Sequence, residues 1–210
     1  MQDNLLRFNT SKRLLFFDFE SLNLNLNFCH NRVWQAGFIE MTGKTETASL
    51  DLLIKWDSTL KCSEDAARIN HYDQRKIDRL GISPEEAFAK FEPLFARADW
   101  IAGHNILNFD YPLCQEYYKY MGKKFDMVDK VIDTNLIAKG IKLNIPYNPK
   151  DSFLEYQYKL LNKRAKVKTR LSVLAAEYGI AFDEGKLHDS CYDLSINIAL
   201  FNKLIYQIEI

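Results

Sequence analysis

The chain has 210 residues, with 28 basic and 28 acidic side chains, 47% hydrophobic positions and 13% aromatic positions. This length and apolar fraction fit one globular domain and exclude an intrinsically disordered or fibrous chain. The net charge of zero excludes a histone-like coat of basic residues, but it allows a local basic patch beside a nucleic-acid cleft.

The first part of the chain predicts three strands. Residues 13–20 form an apolar run that ends abruptly on two carboxylates. A second strand-like run covers 33–40, and a third covers 47–56 after the turn candidate Thr42-Gly43-Lys44. Runs of this length around a short glycine-containing turn are typical of an antiparallel meander.

The middle of the chain alternates helices and strands. Ser83-Pro84-Glu85-Glu86 is a capping box with proline at the first helical position, so a helix is predicted to begin there. A short apolar strand follows at 100–103 and a helix at 109–121, and the last strand is predicted at 131–134.

Helices dominate the last third of the sequence. One is predicted from about Ser152, and a short one at 171–178 is stopped by Gly179. The long final helix has an apolar stripe made of Leu194, Ile198, Phe201 and Ile205. A strand meander followed by strands that alternate with helices predicts an α/β fold, with helices flanking a mixed sheet. Because no repeat or linker divides the chain, we expect a single domain over residues 1–210.

Two further features bear on the cellular compartment. The N-terminus lacks the apolar core of a signal peptide and no apolar run is long enough to span a bilayer, so we expect a cytoplasmic protein without membrane contact. The cysteines form no C-x-x-C pair, which favours reduced thiols over a disulfide framework; they are Cys29, Cys62, Cys114 and Cys191. A zinc site is an alternative, although its spacing fits no known closed motif; its ligands would be Cys29, His30, Cys62 and His71.

Two acidic residues stand at the end of the first predicted strand. The period of two in a strand puts Asp18 and Glu20 on one face, while Phe19 points to the other. Like charges this close raise each other's pKa unless a cation lies between them, and a hard divalent ion accepts carboxylate oxygens. Taken alone the pair is a weak signal: it is compatible with a metal site, but a solvated strand end is the commoner explanation of two acids at this position.

Two other acidic positions follow a similar logic. Asp110 would lie near the N-terminus of the helix that follows the strand at 100–103. His188 and Asp193 stand where the last helix opens, and their spacing of five residues leaves them about 140° apart on a helical wheel. We therefore place Asp193 on the helix and His188 on the loop before it, where the imidazole can meet a water.

In this order and spacing, these residues resemble the three motifs of the DEDDh 3′–5′ exonucleases, the DnaQ-like group of the RNase H-like superfamily. The matching pieces are D-x-E at 18 and 20, N-F-D ending at 110, and H-x4-D from 188 to 193. The likeness covers about residues 12–205. It implies an exonuclease domain with an RNase H-like mixed five-stranded sheet flanked by helices.

The chain departs from the family pattern in two places. The first motif continues Ser21-Leu22-Asn23 where many members have T-T-G, which affects contacts to the terminal nucleotide rather than the metal ligands. The second motif has one residue more than its commonest form, closer to the proofreading domains of family B polymerases. Those domains carry Tyr in a Y-x3-D third motif; the position here is Asp189, so the His variant fits better.

The resemblance also implies a mechanism. The carboxylates of Asp18, Glu20, Asp110 and Asp193 would hold two Mg²⁺ or Mn²⁺ ions, and His188 would take the proton from the attacking water. The product would be a nucleoside 5′-monophosphate released from the 3′ end of DNA, most readily a single-stranded end. A polymerase or another replication or repair protein would be a partner; the oligomeric state is not predicted.

Substrate contacts are expected from the same resemblance and from charge. Ser21, Leu22 and His71 match positions near the terminal nucleotide in relatives, whereas His104 is expected to be structural. The sequence predicts a basic helical insertion at residues 142–170. If its helix continues far enough, Lys159, Lys163 and Lys166 share one face and track phosphates, with a solvated basic face as the alternative.

Three other functions compete with a DNA exonuclease. An exoribonuclease of the same family would use the same motifs, because the 2′-hydroxyl is read elsewhere. A non-catalytic nucleic-acid-binding module would have lost at least one ligand, and all five motif residues are present. The third alternative is an interaction protein stabilised by the zinc site.

Overall fold

One mixed sheet of five strands forms the centre of the protein. The computed structural model describes residues 6, 7, 9–26, 31–57 and 59–210. The strands in these ranges are β1 (Arg13–Ser21), β2 (Val33–Thr42), β3 (Thr45–Leu53), β4 (Trp100–Gly103) and β5 (Val131–Asp133). Their order is β3-β2-β1-β4-β5, antiparallel across β3, β2 and β1 and parallel across β1, β4 and β5. The predicted α/β fold with a mixed five-stranded sheet is confirmed.

Eight α-helices surround the sheet within these described ranges. They are α1 (Glu64–Asn70), α2 (Gln74–Leu80), α3 (Pro84–Arg97), α4 (Asp110–Tyr120), α5 (Thr134–Lys142), α6 (Phe153–Asn162), α7 (Leu171–Glu177) and α8 (Ser190–Leu204). None of the helices in the described ranges has both the length and the apolarity needed to cross a bilayer. The capping box works as predicted, since the Ser83 hydroxyl accepts the Glu86 N–H at the start of α3.

The sequence did not indicate three of these helices. α1 and α2 have seven residues each, too few for a clear apolar period, and their N-caps Ser63 and Asp73 are the local signal that marks them. α5 begins at Thr134, whereas the sequence pattern predicts this residue in the last strand. The Asp133 carboxylate accepts the N–H groups of Asn135 and Leu136, and this cap turns the chain into a helix.

Other predicted boundaries also shift. The third strand covers Thr45–Leu53 rather than 47–56, and Ile198 of the predicted α8 stripe is only partly buried. α6 ends at Asn162, so Lys159, Lys163 and Lys166 do not share a helical face. The predicted basic helical face required the helix from Ser152 to continue past Lys166. Residues 163–170 are not helical, so this face does not form.

Alternation along β1 divides its side chains between two layers. Phe17 points towards α3, with its ring centroid 5.0 Å from that of Phe95. Phe16 points the opposite way, towards α8, with 5.3 Å between its centroid and that of Phe201. Asp18 and Glu20 follow Phe16 at intervals of two, so both carboxylates lie on the α8 side of the sheet.

Gly37 brings α8 against this side of the sheet. It pairs with Asp18 across β1 and β2. A Cβ at Gly37 would lie 2.8 Å from the Ser190 hydroxyl, closer than real Cβ contacts allow, and 3.1 Å from the Cys191 backbone nitrogen, which is also a tight contact. The first turn of α8 therefore packs directly on the glycine backbone opposite Asp18.

Candidate active site

The end of β1 is open on one side. β4 pairs with β1 only at Leu14, Leu15 and Phe16, so the backbone beyond Phe16 has no strand partner there. The Phe19 N–H instead donates to Asp110 Oδ1 at 2.8 Å. This hydrogen bond places Asp110, the first residue of α4, beside the strand segment that carries Asp18 and Glu20.

A second buried acid holds the loop that leads to Asp110. Asp133 is fully buried at the end of β5, and its carboxylate accepts the N–H groups of Asn105 and Leu107 as well as those of its own helix cap. Asn105 has a left-handed backbone with φ of 62°. The loop is thus fixed from the neighbouring strand end, and this function of Asp133 was missed in the sequence, where an acid before a helix signals only a cap.

The third motif divides between loop and helix as predicted. Asp193 lies in the first turn of α8, and its Oδ2 accepts the His188 N–H at 3.2 Å. His188 lies on the preceding loop with φ of 67°. Asp189 caps α8, accepting the Tyr192 N–H at 3.0 Å and a Gln35 amide N–H at 3.1 Å. These bonds explain why Asp193, and not Asp189, has an oxygen to spare.

Electrostatic repulsion links the four motif carboxylates. Burial raises the pKa of Asp18 well above its usual value, and the charges of Asp193 and Asp189 raise it further. Burial also dominates the raised pKa of Glu20, followed by repulsion from Asp18, Asp193 and Asp110. The pKa of Asp110 rises through burial and then the charge of Asp18, and burial raises that of Asp193 to about 6. None of the four carboxylates forms an ion pair with a Lys or Arg of the described residues.

The donor set fits hard divalent cations. Glu20 and Asp110 are 8% and 2% exposed, and Asp193 Oδ1 is buried with no hydrogen-bond partner. Buried carboxylate oxygens that repel each other are the ligands that Mg²⁺ and Mn²⁺ accept. Within the described part of the chain, no three His, Cys, Asp or Glu side chains form a preassembled metal site. One oxygen of Asp110 and one of Asp193 each accept a backbone N–H.

The two predicted histidines meet at one edge of the site. His71 ends α1 in a left-handed conformation, and its Nε2 donates to the Leu187 carbonyl at 3.0 Å. His188 is exposed as a residue, but its imidazole is shielded enough that burial lowers its pKa, and the nearby His71 lowers it further. The neutral imidazole is therefore the dominant form of His188 at neutral pH.

Ser21 and Leu22 make contacts within the protein. The Ser21 hydroxyl donates to the Asn23 carbonyl at 2.6 Å, and Leu22 is 4% exposed in a small apolar cluster with Trp34 and Ile77. No sequence pattern indicated Asn70, which is 1% exposed and donates from its side chain to the Ser21 carbonyl at 2.9 Å. The Asn70 side chain also lowers the pKa of Glu20 through a hydrogen bond, so it braces the strand end from α1.

His104 and the cysteines have contacts of a different kind. The His104 Nε2 donates to the Thr169 carbonyl at 2.8 Å, and burial lowers the pKa of His104 to about 4, so this residue is a neutral structural bridge. Cys29 and His30, half of the alternative zinc site, lie outside the described residues. The thiols of Cys62, Cys114 and Cys191 are free.

The sheet order, the flanking helices and the acidic strand end define an RNase H-like fold, and comparison with solved structures agrees. E. coli Exonuclease I in complex with a dT13 oligonucleotide has a TM-score of 0.73 and 15% sequence identity, covering 92% of this chain and 41% of that one. The complex of that protein with a dA16 oligonucleotide gives 0.73 and 15%, covering 93% and 42%. The moderately thermophilic Exonuclease I from Methylocaldum szegediense gives 0.68 and 17%, covering 93% and 40%.

The scope of this similarity is the fold. The chain spans about two fifths of the length of the Exonuclease I structures it resembles. No protein-family model and no curated protein matches the sequence.

Proposed function

We propose that this protein is a metal-dependent 3′–5′ exonuclease that hydrolyses DNA from a single-stranded 3′ end. The observation that carries this proposal is the convergence of four acidic side chains at the end of β1, where the charges of the other three all raise the pKa of Glu20: Asp18, Glu20, Asp110 and Asp193. Burial raises the pKa of each of the four, and none of them forms an ion pair with a Lys or Arg of the described residues. Such a group is costly in a folded protein unless divalent cations neutralise it.

The chain's own residues divide the work of hydrolysis. Asp18, Glu20, Asp110 and Asp193 would hold two Mg²⁺ or Mn²⁺ ions, which supply Lewis-acid stabilisation of the charge that develops on the phosphate. His188, neutral above pH 7, accepts the proton of the attacking water on its free ring nitrogen. Asn70 and Asp133 are positioning residues. Asn70 holds Glu20 through a hydrogen bond, and Asp133 holds the loop that leads to Asp110.

DNA is the proposed substrate because the solved structures that share the fold include complexes with deoxyribose oligonucleotides. The Ser21 backbone and His71 lie at the strand end and beside His188, which suits contact with a terminal nucleotide. The Leu22 side chain would need to leave its cluster to touch a base. A role in replication or repair, beside a polymerase, is part of the same proposal, as is a cytoplasmic location.

A time course on 5′-labelled oligonucleotides tests this function. We expect a ladder of products shortened from the 3′ end, formed from single-stranded DNA with Mg²⁺ and abolished by EDTA, with nucleoside 5′-monophosphates released. RNA and duplex DNA of the same sequence run in parallel. If RNA is degraded as fast as DNA or faster, RNA becomes the proposed substrate. If no oligonucleotide is degraded with Mg²⁺ or Mn²⁺, the proposed activity is wrong.

A further inference from the structure

The end of α6 and the connection from α6 to α7 together carry a concentration of positive charge; these residues, 159–170, are here called the basic segment. The segment contains no acidic residue, and its basic residues are all exposed: Lys159, Lys163, Arg164, Lys166, Lys168 and Arg170. None of the six forms an ion pair with any acidic side chain of the described residues. The whole chain has zero net charge, so the positive potential that this cluster creates is local to the segment.

Hydrogen bonds fix the backbone of the basic segment to α5. Lys139 Nζ donates to the Leu160 carbonyl at 2.6 Å, and Lys142 Nζ donates to the Lys168 carbonyl at 2.6 Å. From Lys163 to Arg170 the chain is neither helical nor paired in the sheet. The carbonyl groups are thus used internally, whereas the cationic side chains of the segment stay in solvent.

A third anchor ties the basic segment to the candidate active site. The Thr169 carbonyl accepts His104 Nε2 at 2.8 Å and the Asn135 side-chain amide at 3.1 Å. His104 directly follows β4 and opens the loop that ends at Asp110, so Thr169 lies at the same end of the sheet as the carboxylates. Burial keeps His104 neutral, and this bridge holds over the ordinary pH range.

We propose that the basic segment binds the phosphates of the substrate strand upstream of its 3′ end, so that the strand runs from the segment to the carboxylates. This inference rests on the proposed function. Unpaired Lys and Arg side chains on a fixed backbone suit phosphodiester recognition, which needs charge but no base-specific geometry. An acidic cleavage site repels the substrate backbone, and the adjacent positive segment compensates for that repulsion.

The test measures binding to oligonucleotides of about 20 nucleotides by fluorescence anisotropy in EDTA, at about 50 to 200 mM salt. The variant is Lys166→Gln/Lys168→Gln. The matched control is Lys44→Gln/Lys203→Gln, which removes the same charge from exposed positions in the β2–β3 turn and the last turn of α8, both away from the carboxylates. All four positions are exposed, so each variant is expected to fold.

We expect the segment variant to bind about tenfold more weakly at low salt, and its slope of log affinity against log salt to fall by about 1.4, since each phosphate contact in a single strand contributes about 0.7. The control should keep the parent slope. The loss should be equal on oligo-dT and oligo-dA and shrink as the oligonucleotide shortens, because phosphate contacts carry no sequence information.

Two results would overturn the proposal: a parent-like slope in the segment variant, or an equal loss in the control. Because binding is measured without divalent ions, this outcome is independent of catalysis. A parent protein that binds DNA through the segment yet degrades nothing would remove the proposed hydrolysis and leave the segment's function intact.

Discussion

Two neighbouring sets of buried acids in this protein are treated in opposite ways. Asp133 lies fully buried at the end of β5, where burial raises its pKa to about 6, but four backbone N–H groups donate to its carboxylate. Asp193 has a similar pKa of about 6, yet one of its oxygens is buried without a partner and acidic neighbours surround it. Hydrogen bonds within the fold thus satisfy Asp133, which has a structural function. Asp193 instead keeps a buried carboxylate oxygen without a hydrogen-bond partner among the described residues.

The largest expected effect on activity comes from neutralising one of the motif carboxylates. Asp18→Asn or Asp193→Asn should lower Mg²⁺-dependent exonuclease activity by about 10³-fold or more, since a two-ion site stabilises the transition state by several kcal/mol. The same change should raise the melting temperature of the metal-free protein, because it removes repulsion among buried carboxylates. Activity assays and thermal melts in EDTA check both; parent-level digestion by either variant would refute the ligand assignment.

His188→Ala should slow turnover by about 10²–10⁴, the range for loss of a general base, with little change in stability, because His188 is exposed. The pH–rate profile separates this function from a structural one. Protonation of the metal ligands also lowers activity at acidic pH, so the ratio of parent to variant rates is the measure: it should fall as the pH drops through the lowered pKa of His188, because a protonated imidazole cannot act as the base. A variant that retains the parent profile would exclude His188 as the base.

Asp133→Ala should instead destabilise the protein by about 2–3 kcal/mol, because it removes a helix cap and strands buried N–H groups. Asp126→Ala is the matched control: this acid is exposed and forms a surface ion pair with Lys124, so a change below about 1 kcal/mol is expected. Denaturant unfolding in EDTA measures both. Equal stability losses in Asp133→Ala and Asp18→Asn would erase the contrast between the two sets of acids.

The smallest expected effect is a pH-dependent stabilisation by Mg²⁺. The folded-state pKa values of the motif acids lie above their unfolded values, about 3.9–4.3. Protonation of these acids therefore stabilises the folded protein below the unfolded-state pKa values. This stabilisation is lost as the pH rises through the folded-state pKa values, and that of Asp193 is about 6. Mg²⁺ restores it by neutralising the ionised groups.

Thermal melts should show Mg²⁺ raising the melting temperature by a few degrees near pH 8 and by less near pH 5.5, where protons occupy the ligands. Asp18→Asn should reduce the shift at the higher pH. A Mg²⁺ shift that is equal at both pH values would mean that these carboxylates do not bind the ion.

Local patterns predicted much of the fold correctly. The apolar run of β1, the capping box at Ser83 and the glycine stop after α7 are each decided within a few residues, and each has its expected structure. α1, α2 and α5 escaped prediction because they are short and depend on single caps. The basic segment is not helical beyond Asn162, because contacts to Lys139, Lys142 and His104 hold its backbone; none of these contacts is visible in local sequence.

By itself, the sequence determined that Asp18 and Glu20 share one face of a strand and that His188 precedes the helix that carries Asp193, because strand period and loop-to-helix spacing are local properties. Their grouping with Asp110 as one catalytic site came from the motif resemblance and stays a prediction. The tertiary structure decided how these groups are held: Gly37 admits α8 against β1, the open edge of β1 receives Asp110, and Asp133 and Asn70 brace the surrounding backbone. These contacts join residues distant in the chain, and burial, which sets the pKa values, exists only once the elements have packed.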